Sequence, residues 1–439
     1  MNNNTMDKKL AKTLISFSLP LILSGLLQQL YNWADAFIVG NVEGEAALAA
    51  IGATSVVSNI FIMAIMGFTS GIAILSARHY EDKDISIQKK ILVTFMVIVG
   101  VFFTISSLMT VFFVDPIVTV LKIPADIYGT SKNYLAIILL GVPFMAVYNV
   151  YASVLRGMGD SKISFYAVLV SSVTNIFLDI LFVFVLRFHA EGAALATIIS
   201  QFAMTIFIIF YAKKKHPCLK IKVEKFIYRK VLKSGSLLGL PITIQSVLAA
   251  IGNLGLQNFM NGFGTVTVAA ITTAYRVDGL LLLPIINLGT GVSIITSQNI
   301  GQGKYKEAKR SLVIGLKLSV IISLALTLLV VNFGDNVIGI FGVSVASIYI
   351  GGRFFATIGW FYIIYGPAMV MRGYIDGQGK VMYSSIIGLS SLGLRIILSY
   401  ILVSRFDNMA IAYAEGFGWC FLCIAYLIKV KYLSKKLID

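Results

Sequence analysis

Four oxygen-bearing side chains interrupt apolar stretches in the first half of the chain. Asp35 ends the first stretch, Asn175 and Asp179 lie four residues apart in the fifth, and Thr197 lies near the start of the sixth. Side chains four residues apart share a helix face. Hard cations take oxygen ligands, and a desolvated carboxylate can load and release a proton. The four residues are therefore a candidate site for H⁺ or Na⁺, with hydrogen-bonded or interfacial carboxylates as the alternative.

Buried charges in the second half have a different pattern. Arg276 and Asp278 lie in the eighth stretch, Arg353 in the tenth and Arg395 in the eleventh. Because Arg276 and Asp278 are two residues apart, they do not share a helix face. We expect Asp278 to pair with Arg395 or Arg353 across helices, and a structural ion pair is favoured over a role of these four residues in substrate binding or gating.

One acidic residue of the second half stands apart from this group. Glu415 lies near the start of the twelfth stretch and directly precedes Gly416. That position is typical of a residue at the membrane interface.

The composition indicates a membrane protein. Of the 439 residues, 58% are hydrophobic and 13% are charged, and the mean hydropathy is +0.87. Apolar runs of about 20 residues each match a hydrocarbon core about 30 Å thick. The sequence predicts twelve such spans, at roughly 14–35, 46–77, 91–114, 130–154, 163–187, 191–212, 234–260, 266–298, 311–333, 347–371, 382–404 and 409–430.

The net charge of +16 follows the predicted topology. With the N-terminus inside, 28 of the 36 Lys and Arg residues fall in inward segments, among them Lys83 and the basic run from Lys213 to Lys233. This is the positive-inside bias, and it predicts a multi-pass plasma-membrane protein with both termini in the cytoplasm. The basic residues then contact anionic lipid, and nucleic-acid binding is excluded.

An internal repeat predicts the architecture. Residues 14–80 are echoed by 235–300 at an offset of about 220, which aligns Pro20 with Pro241. Six spans per repeat, both starting inside, give parallel repeats related by an axis along the membrane normal. We expect an all-α polytopic protein with two six-helix lobes and pseudo-two-fold symmetry, acting as a monomer. The predicted parts are a lobe at 1–212, a cytoplasmic basic linker at 213–233 and a lobe at 234–439.

Glycines cluster beside two arginines that the repeat aligns, Arg156 and Arg372. They are expected in inner loops that need a positive φ, and they are Gly157, Gly159, Gly373, Gly377 and Gly379. A phosphate-binding loop is the rival interpretation, but no GxxxxGK[ST] pattern occurs.

Enzymatic and metal sites find little support. The three histidines are scattered, and HExxH, GxSxG and DDxxD patterns are absent from the sequence. Cys420 and Cys423 have CxxC spacing but lie in an apolar stretch, which favours packing over redox or metal chemistry. We predict no enzyme activity, no cofactor and no metal beyond Na⁺.

Several motifs resemble the multidrug and toxic compound extrusion (MATE) family over nearly the whole chain. The first span contains Pro20, Gln28–Asn32 and Asp35 followed by Gly40. The further matches are Ala47–Gly52 (ALAAIG), Leu155–Lys162 (LRGMGDSK), Gly192–Thr197 (GAALAT) and Gln298–Gly303 (QNIGQG).

This resemblance implies a pair of six-helix lobes around a cleft and export of organic, often cationic compounds by H⁺ or Na⁺ antiport. In prokaryotic relatives an N-lobe cation site uses residue types that Asp35, Asn175, Asp179 and Thr197 match. The family's other site uses acidic residues of the seventh and tenth spans, and here the seventh offers only amides such as Gln245 while the tenth has no carboxylate.

The predicted function is a secondary antiporter that exports a small organic compound by alternating access. The alternative is a lipid-linked precursor flippase of the same superfamily, which would use Arg276, Arg353 and Arg395 to hold a pyrophosphate. A membrane scaffold without transport activity is disfavoured because it would not need buried carboxylates.

Overall fold

The computed structural model describes residues 3–80, 86–220 and 225–436, and these are almost entirely helical, with no strand among them. Lys83 lies outside the described residues. The first half contains α1 (Asn3–Glu43), α2 (Glu45–Arg78), α3 (Ser86–Phe112), α4 (Val114–Val120), α5 (Tyr128–Leu139), α6 (Val142–Gly157), α7 (Lys162–Asp179), a π-helical turn (Ile180–Val185) and α8 (His189–Lys215).

The second half repeats this all-helical pattern. It contains α9 (Arg229–Asn261), α10 (Gly264–Leu281), α11 (Leu283–Gly301), α12 (Tyr305–Gly339), α13 (Val345–Ile358), α14 (Tyr362–Gly377), α15 (Val381–Phe406) and α16 (Ala410–Lys436). Short 3-10 turns at Pro217–Leu219, Gly359–Phe361 and Asp407–Met409 follow α8, α13 and α15.

The helices account for the twelve predicted spans. Ten helical stretches of the described residues are long and apolar enough to cross a membrane, and the pair α10 and α11 adds an eleventh. One of the ten, Val381–Leu433, contains both α15 and α16. The prediction of an all-α polytopic membrane protein with twelve spans is confirmed.

Three of the predicted spans are broken rather than continuous. The fourth divides into α5 and α6, the eighth bends by 40° between α10 and α11, and the tenth is interrupted by the turn at Gly359–Phe361. Pro143 and Pro284 stand in the first turns of α6 and α11. A proline lacks the backbone N–H that would continue the preceding helix, so it favours a new helix start at these two places.

Contacts divide the chain into two compact units, which we call unit N (residues 23–243) and unit C (residues up to 22 together with 244–439). The long helices α1 and α9 each contribute to both units. The predicted lobe boundaries were defined by the repeat and stay a prediction. Of the predicted linker, Lys213–Lys215 continue α8, residues 221–224 lie outside the described residues, and Arg229 begins α9.

The aligned glycines allow close helix packing, in part against expectation. Gly157 and Gly373 are helical, so the prediction of positive φ is wrong for them, as it is for Gly377. A methyl group on Gly157 would meet Ser76 of α2, and one on Gly373 would meet the backbone of Gly289 in α11. Small residues of this kind let membrane helices approach each other.

The two remaining glycines of the set behave as predicted. Gly159 and Gly379 have φ of 86° and 78°, a conformation that costs glycine little and other residues much. They end the short loops after α6 and α14, which are the equivalent helices of the two repeats.

Candidate cation site and buried charge network

Two acidic side chains of unit N lie inside its membrane-spanning helices. Asp179 is the last residue of α7 and is fully buried, and Asn175, one turn earlier, is 1% exposed. The π-helical turn Ile180–Val185 follows Asp179 directly. Such turns are rare and are frequent at functional sites. Asp35 belongs to α1, and its Oδ1 atom is also shielded from solvent.

The polar atoms of this group lack hydrogen-bond partners among the described residues. Both carboxylate oxygens of Asp179, both terminal atoms of Asn175 and Oδ1 of Asp35 are buried without one. Buried polar groups in native proteins are almost always paired, because an unpaired one loses its hydration without compensation. The group therefore has unused capacity to bind a proton or a cation.

The two carboxylates act on each other. The charge of Asp35 is felt at Asp179, and both are felt at the hydroxyl of Tyr134 in α5, which is 7% exposed. Two neighbouring carboxylates resist being ionised together, so a proton or Na⁺ bound between them relieves their repulsion. Tyr134 was not among the predicted site residues, although a hydroxyl within the apolar fourth span is a usable signal.

Thr197 stands on the helix that packs along α7. Its Oγ1 donates a hydrogen bond to the carbonyl of Ala193 at 3.0 Å, within α8. The hydroxyl oxygen keeps acceptor capacity in this arrangement. The structure thus brings Asp35 and Asp179 together with Asn175 one turn away, while the recorded bond of Thr197 stays in its own helix.

Tyr134, at which both carboxylates are felt, belongs to a buried and mostly apolar cluster. Its buried members come from α1, α2, α5, the π-helical turn and α8, and they are Val39, Ala47, Tyr134, Val183, Ala190, Ala193 and Ala194. A dry environment of this kind strengthens electrostatic interactions. Binding of a proton or a cation at the site therefore has a larger effect on the free energy of packing the surrounding helices.

Unit C contains a second group of buried charges. The guanidinium of Arg395 binds Glu415 at 2.9 Å, and the hydroxyl of Tyr275 donates to the same carboxylate at 2.9 Å. Asp278 accepts a hydrogen bond from the hydroxyl of Tyr362. The predicted ion pair of Asp278 with Arg395 or Arg353 is therefore wrong, because Glu415 holds Arg395. Glu415 itself is buried rather than at the interface.

The other two arginines of the predicted set, Arg276 and Arg353, are exposed. Arg276 lines a cavity of about 580 Å³ with Asn261, Thr265 and Thr272. Arg353 lies 5.9 Å from the ring centre of Tyr349 and lines a cavity of about 320 Å³. Both arginines are therefore accessible to a molecule bound in these cavities.

A repeat within the chain also appears in comparison with known families. The sequence profile of the MatE family matches residues 20–181 and again residues 241–401, which is well over half of the chain. The protein belongs to the MatE family. The two matches repeat at an offset of about 220 residues, as the internal repeat does. MatE proteins are membrane transporters, so this chain is a transporter, as its helices and buried carboxylates indicate.

Relatives cover nearly the whole chain. The "Probable multidrug resistance protein YoeA" of Bacillus subtilis is 28% identical over 88% of this chain and 85% of its own. The "Multidrug export protein MepA" of Staphylococcus aureus is 22% identical over 97% of this chain and 94% of its own.

Solved structures show the same fold. One described as the outward-facing conformation of a multidrug resistance MATE family transporter has a TM-score of 0.91 at 22% identity and covers 98% of this chain and 97% of its own. A transporter from Pyrococcus furiosus, described as having reverse polarity of the binding pocket, has a TM-score of 0.88 at 22% identity with the same coverage. The MatE chain therefore has the twelve-helix fold of these transporters.

Proposed function

We propose that this MatE protein exports a small organic compound in exchange for H⁺ or Na⁺, and that Asp35 and Asp179 bind the coupling ion with Asn175 and Thr197 nearby. The observation that carries the proposal is the buried Asp179, both of whose oxygens lack a hydrogen-bond partner among the described residues, together with the half-buried Asp35, whose buried Oδ1 also lacks one and whose charge acts on Asp179. Ionisable groups inside a membrane are costly to keep and mark ion and substrate pathways.

Ion binding can drive transport because it changes the cost of burying the site. Without a bound ion, the negative charge of Asp35 acts on that of Asp179, beside an apolar cluster that contains Tyr134. A proton or Na⁺ removes that repulsion and favours the arrangement in which the site stays dry. A ligand shifts a conformational equilibrium only by its difference in affinity for the two states, and this site offers such a difference for the ion.

The exported compound is proposed from the relatives' names. YoeA and MepA are named for multidrug resistance and multidrug export, and an organic, cationic, multidrug-type substrate fits that pattern. We further propose the plasma membrane as the location and cytoplasmic termini, because 28 of the 36 basic residues lie in the segments predicted to face inward. A monomer is proposed as the acting form.

One of the three arginines that a flippase would use to bind a pyrophosphate is already paired. A pyrophosphate headgroup needs cations that are free to bind it, whereas the charge of Arg395 is engaged by Glu415 at 2.9 Å. Arg276 and Arg353 line separate cavities. Export of an organic compound is therefore the better supported function.

Dye uptake into inverted vesicles tests the proposal and identifies the ion. Vesicles containing the protein receive either a proton gradient or a Na⁺ gradient, and the uptake of a dye cation such as ethidium is followed by fluorescence. Uptake driven by one gradient and abolished by its collapse is the expected result. Equal uptake with and without both gradients would contradict ion-coupled export.

A further inference from the structure

The buried charges around Asp278 in unit C do not balance. Within this group, Glu415 and Asp278 are acidic and Arg395 is the basic partner. Both oxygens of Glu415 are engaged, one by Arg395 and the other by Tyr275. The guanidinium of Arg395 is thus paired with Glu415, and Asp278 has no recorded cationic partner among the described residues.

Asp278 lies in a setting that disfavours its negative charge. It is 5% exposed, and the hydroxyl of Tyr362 is the partner recorded for it. Glu415 repels a negative charge at Asp278, and the guanidinium of Arg395 is already bound to Glu415. No Lys, Arg or His side chain of the described residues forms a recorded ion pair with it. A buried charge without a partner is far costlier than a neutral, hydrogen-bonded group.

We propose that Asp278 is a second proton-binding site, which is protonated in the arrangement described here and exchanges its proton during transport. The proton occupies the carboxylate oxygen that Tyr362 does not bind. The site is on the eighth span, in the other compact unit from Asp35 and Asp179. Its role in transport rests on the proposed function, whereas its protonation does not.

The groups that face Asp278 come from several helices. They are Tyr275 on α10 itself, Tyr362 and Tyr365 on α14, Arg395 on α15 and Glu415 on α16. The remaining charged residues of α10, α12 and α13, among them Arg276, Lys317, Asp335 and Arg353, are not among the charges recorded as acting on Asp278. Protonation is then governed by Asp278 and the Glu415–Arg395 pair beside it.

A second proton changes the energetics of export. If two protons enter for each exported molecule, an imposed gradient of one pH unit supports about tenfold more accumulation than one proton does, because each pH unit is worth about 1.4 kcal/mol per proton. The Asp278→Asn variant keeps the size of the side chain and removes the titratable group. It should lower the limiting accumulation by about tenfold.

Infrared difference spectroscopy tests the protonation directly, without any substrate. The purified full-length protein in lipid nanodiscs is titrated with acid and base, and the carbonyl stretch of protonated carboxylic acids is recorded. We expect a protonated-acid band at neutral pH that Asp278→Asn removes and Asp278→Glu moves. Asp407→Asn, at an exposed position, is the matched control and should leave the band in place.

The outcomes separate this inference from the proposed function. An Asp278→Asn spectrum with the same protonated-acid bands as the wild type would overturn the second proton site. Loss of the band with an unchanged accumulation of ethidium under a proton gradient would overturn its part in coupling. Failure of the first proposal would appear elsewhere, as normal coupled transport by Asp35→Asn with the Asp278 band intact.

Discussion

The guanidinium of Arg395 binds the carboxylate of Glu415 at 2.9 Å and joins α15 to α16. Both side chains are largely buried, with 17% and 7% of their surface exposed. Because Arg395 binds Glu415, a cation neutralises Glu415, whereas Asp278 has only the hydroxyl of Tyr362 as its recorded hydrogen-bond partner. The pair also predicts how substitutions at these positions affect each other.

Loss of one partner should destabilise the protein more than loss of both. Glu415→Gln leaves the buried guanidinium of Arg395 uncompensated, which typically costs about 3–5 kcal/mol. Combining it with Arg395→Met removes both charges and should recover much of that loss. Thermal unfolding of the purified protein measures the effect. Combining Arg395→Met with Asp278→Asn should give no such recovery, and recovery there would show that Asp278 is the true partner.

A second network centres on Asp160, in the loop after α6, which accepts hydrogen bonds from three groups at or just after the end of α8. The donors are Tyr211 at 3.0 Å, Lys215 at 3.0 Å and His216 at 3.1 Å. Burial raises the pKa of Asp160, but the bonds from His216, Lys215 and Tyr211 outweigh burial and lower the pKa to about 2. The network ties the loop after α6 to the end of α8.

This shift predicts how the network's contribution depends on pH. The folded-state pKa lies below the unfolded value of about 3.9, so the stabilisation is fully present above about pH 4 and is lost as the pH falls towards 2. Asp160→Asn should lower the melting temperature at pH 7, where hydrogen bonds to a charged group are worth about 1.5–3 kcal/mol. The difference from wild type should shrink near pH 2.5, and a constant difference at all pH values would contradict this.

Close packing of α14 on α11 depends on the absence of a side chain at Gly373. A methyl group there would overlap the carbonyl oxygen of Gly289, and overpacking of this kind typically costs about 1–3 kcal/mol. Gly373→Ala should therefore lower the melting temperature. Gly393→Ala is the matched control, since its methyl group meets no atom within 4 Å. Equal melting temperatures for the two variants would show that α14 can move away from α11 with little loss of stability.

The hydroxyl of Tyr134 feels the charges of both Asp35 and Asp179. Tyr134→Phe keeps the buried ring and removes that hydroxyl, so the fold should persist while ion binding is disturbed. Coupled uptake of ethidium should fall several-fold, less than for a change at either aspartate. Tyr128→Phe is the control, because its hydroxyl contacts the exposed Asp115 instead. Unchanged uptake by Tyr134→Phe would remove Tyr134 from the site.

The spans could be predicted because hydropathy marks them in the sequence, and the repeat could be predicted because the two halves of the chain have matching residues in the same order. Pro20 and Pro241 align in the sequence, and both lie inside long helices, α1 and α9. The places of Asp35 and Asp179 in their apolar stretches indicated a common site, and the charge of Asp35 does act on Asp179. Depth along a helix can be counted in residues from the end of an apolar run.

Rotation of the helices about their axes could not be predicted. Judged only by position along its span, Asp278 was as reasonable a partner for Arg395 as Glu415. The structure packs α16 against α15, and this contact brings Glu415 to Arg395. The π-helical turn at Ile180–Val185 has no local signal, since this run contains neither glycine nor proline. Gly157 and Gly373 looked like turn residues, and only the helices they contact show that they serve close packing.

Coupled transport by Asp35→Asn and Asp179→Asn tests the central claim most directly. Each variant keeps the size of its side chain and removes the carboxylate, and Asp115→Asn, at an exposed aspartate that pairs with Lys132 at 2.8 Å, is the matched control. In proteoliposomes with equal amounts of folded protein, both site variants should lose ethidium accumulation driven by the ion gradient, while Asp115→Asn retains it. Near-normal accumulation by either site variant would contradict the account.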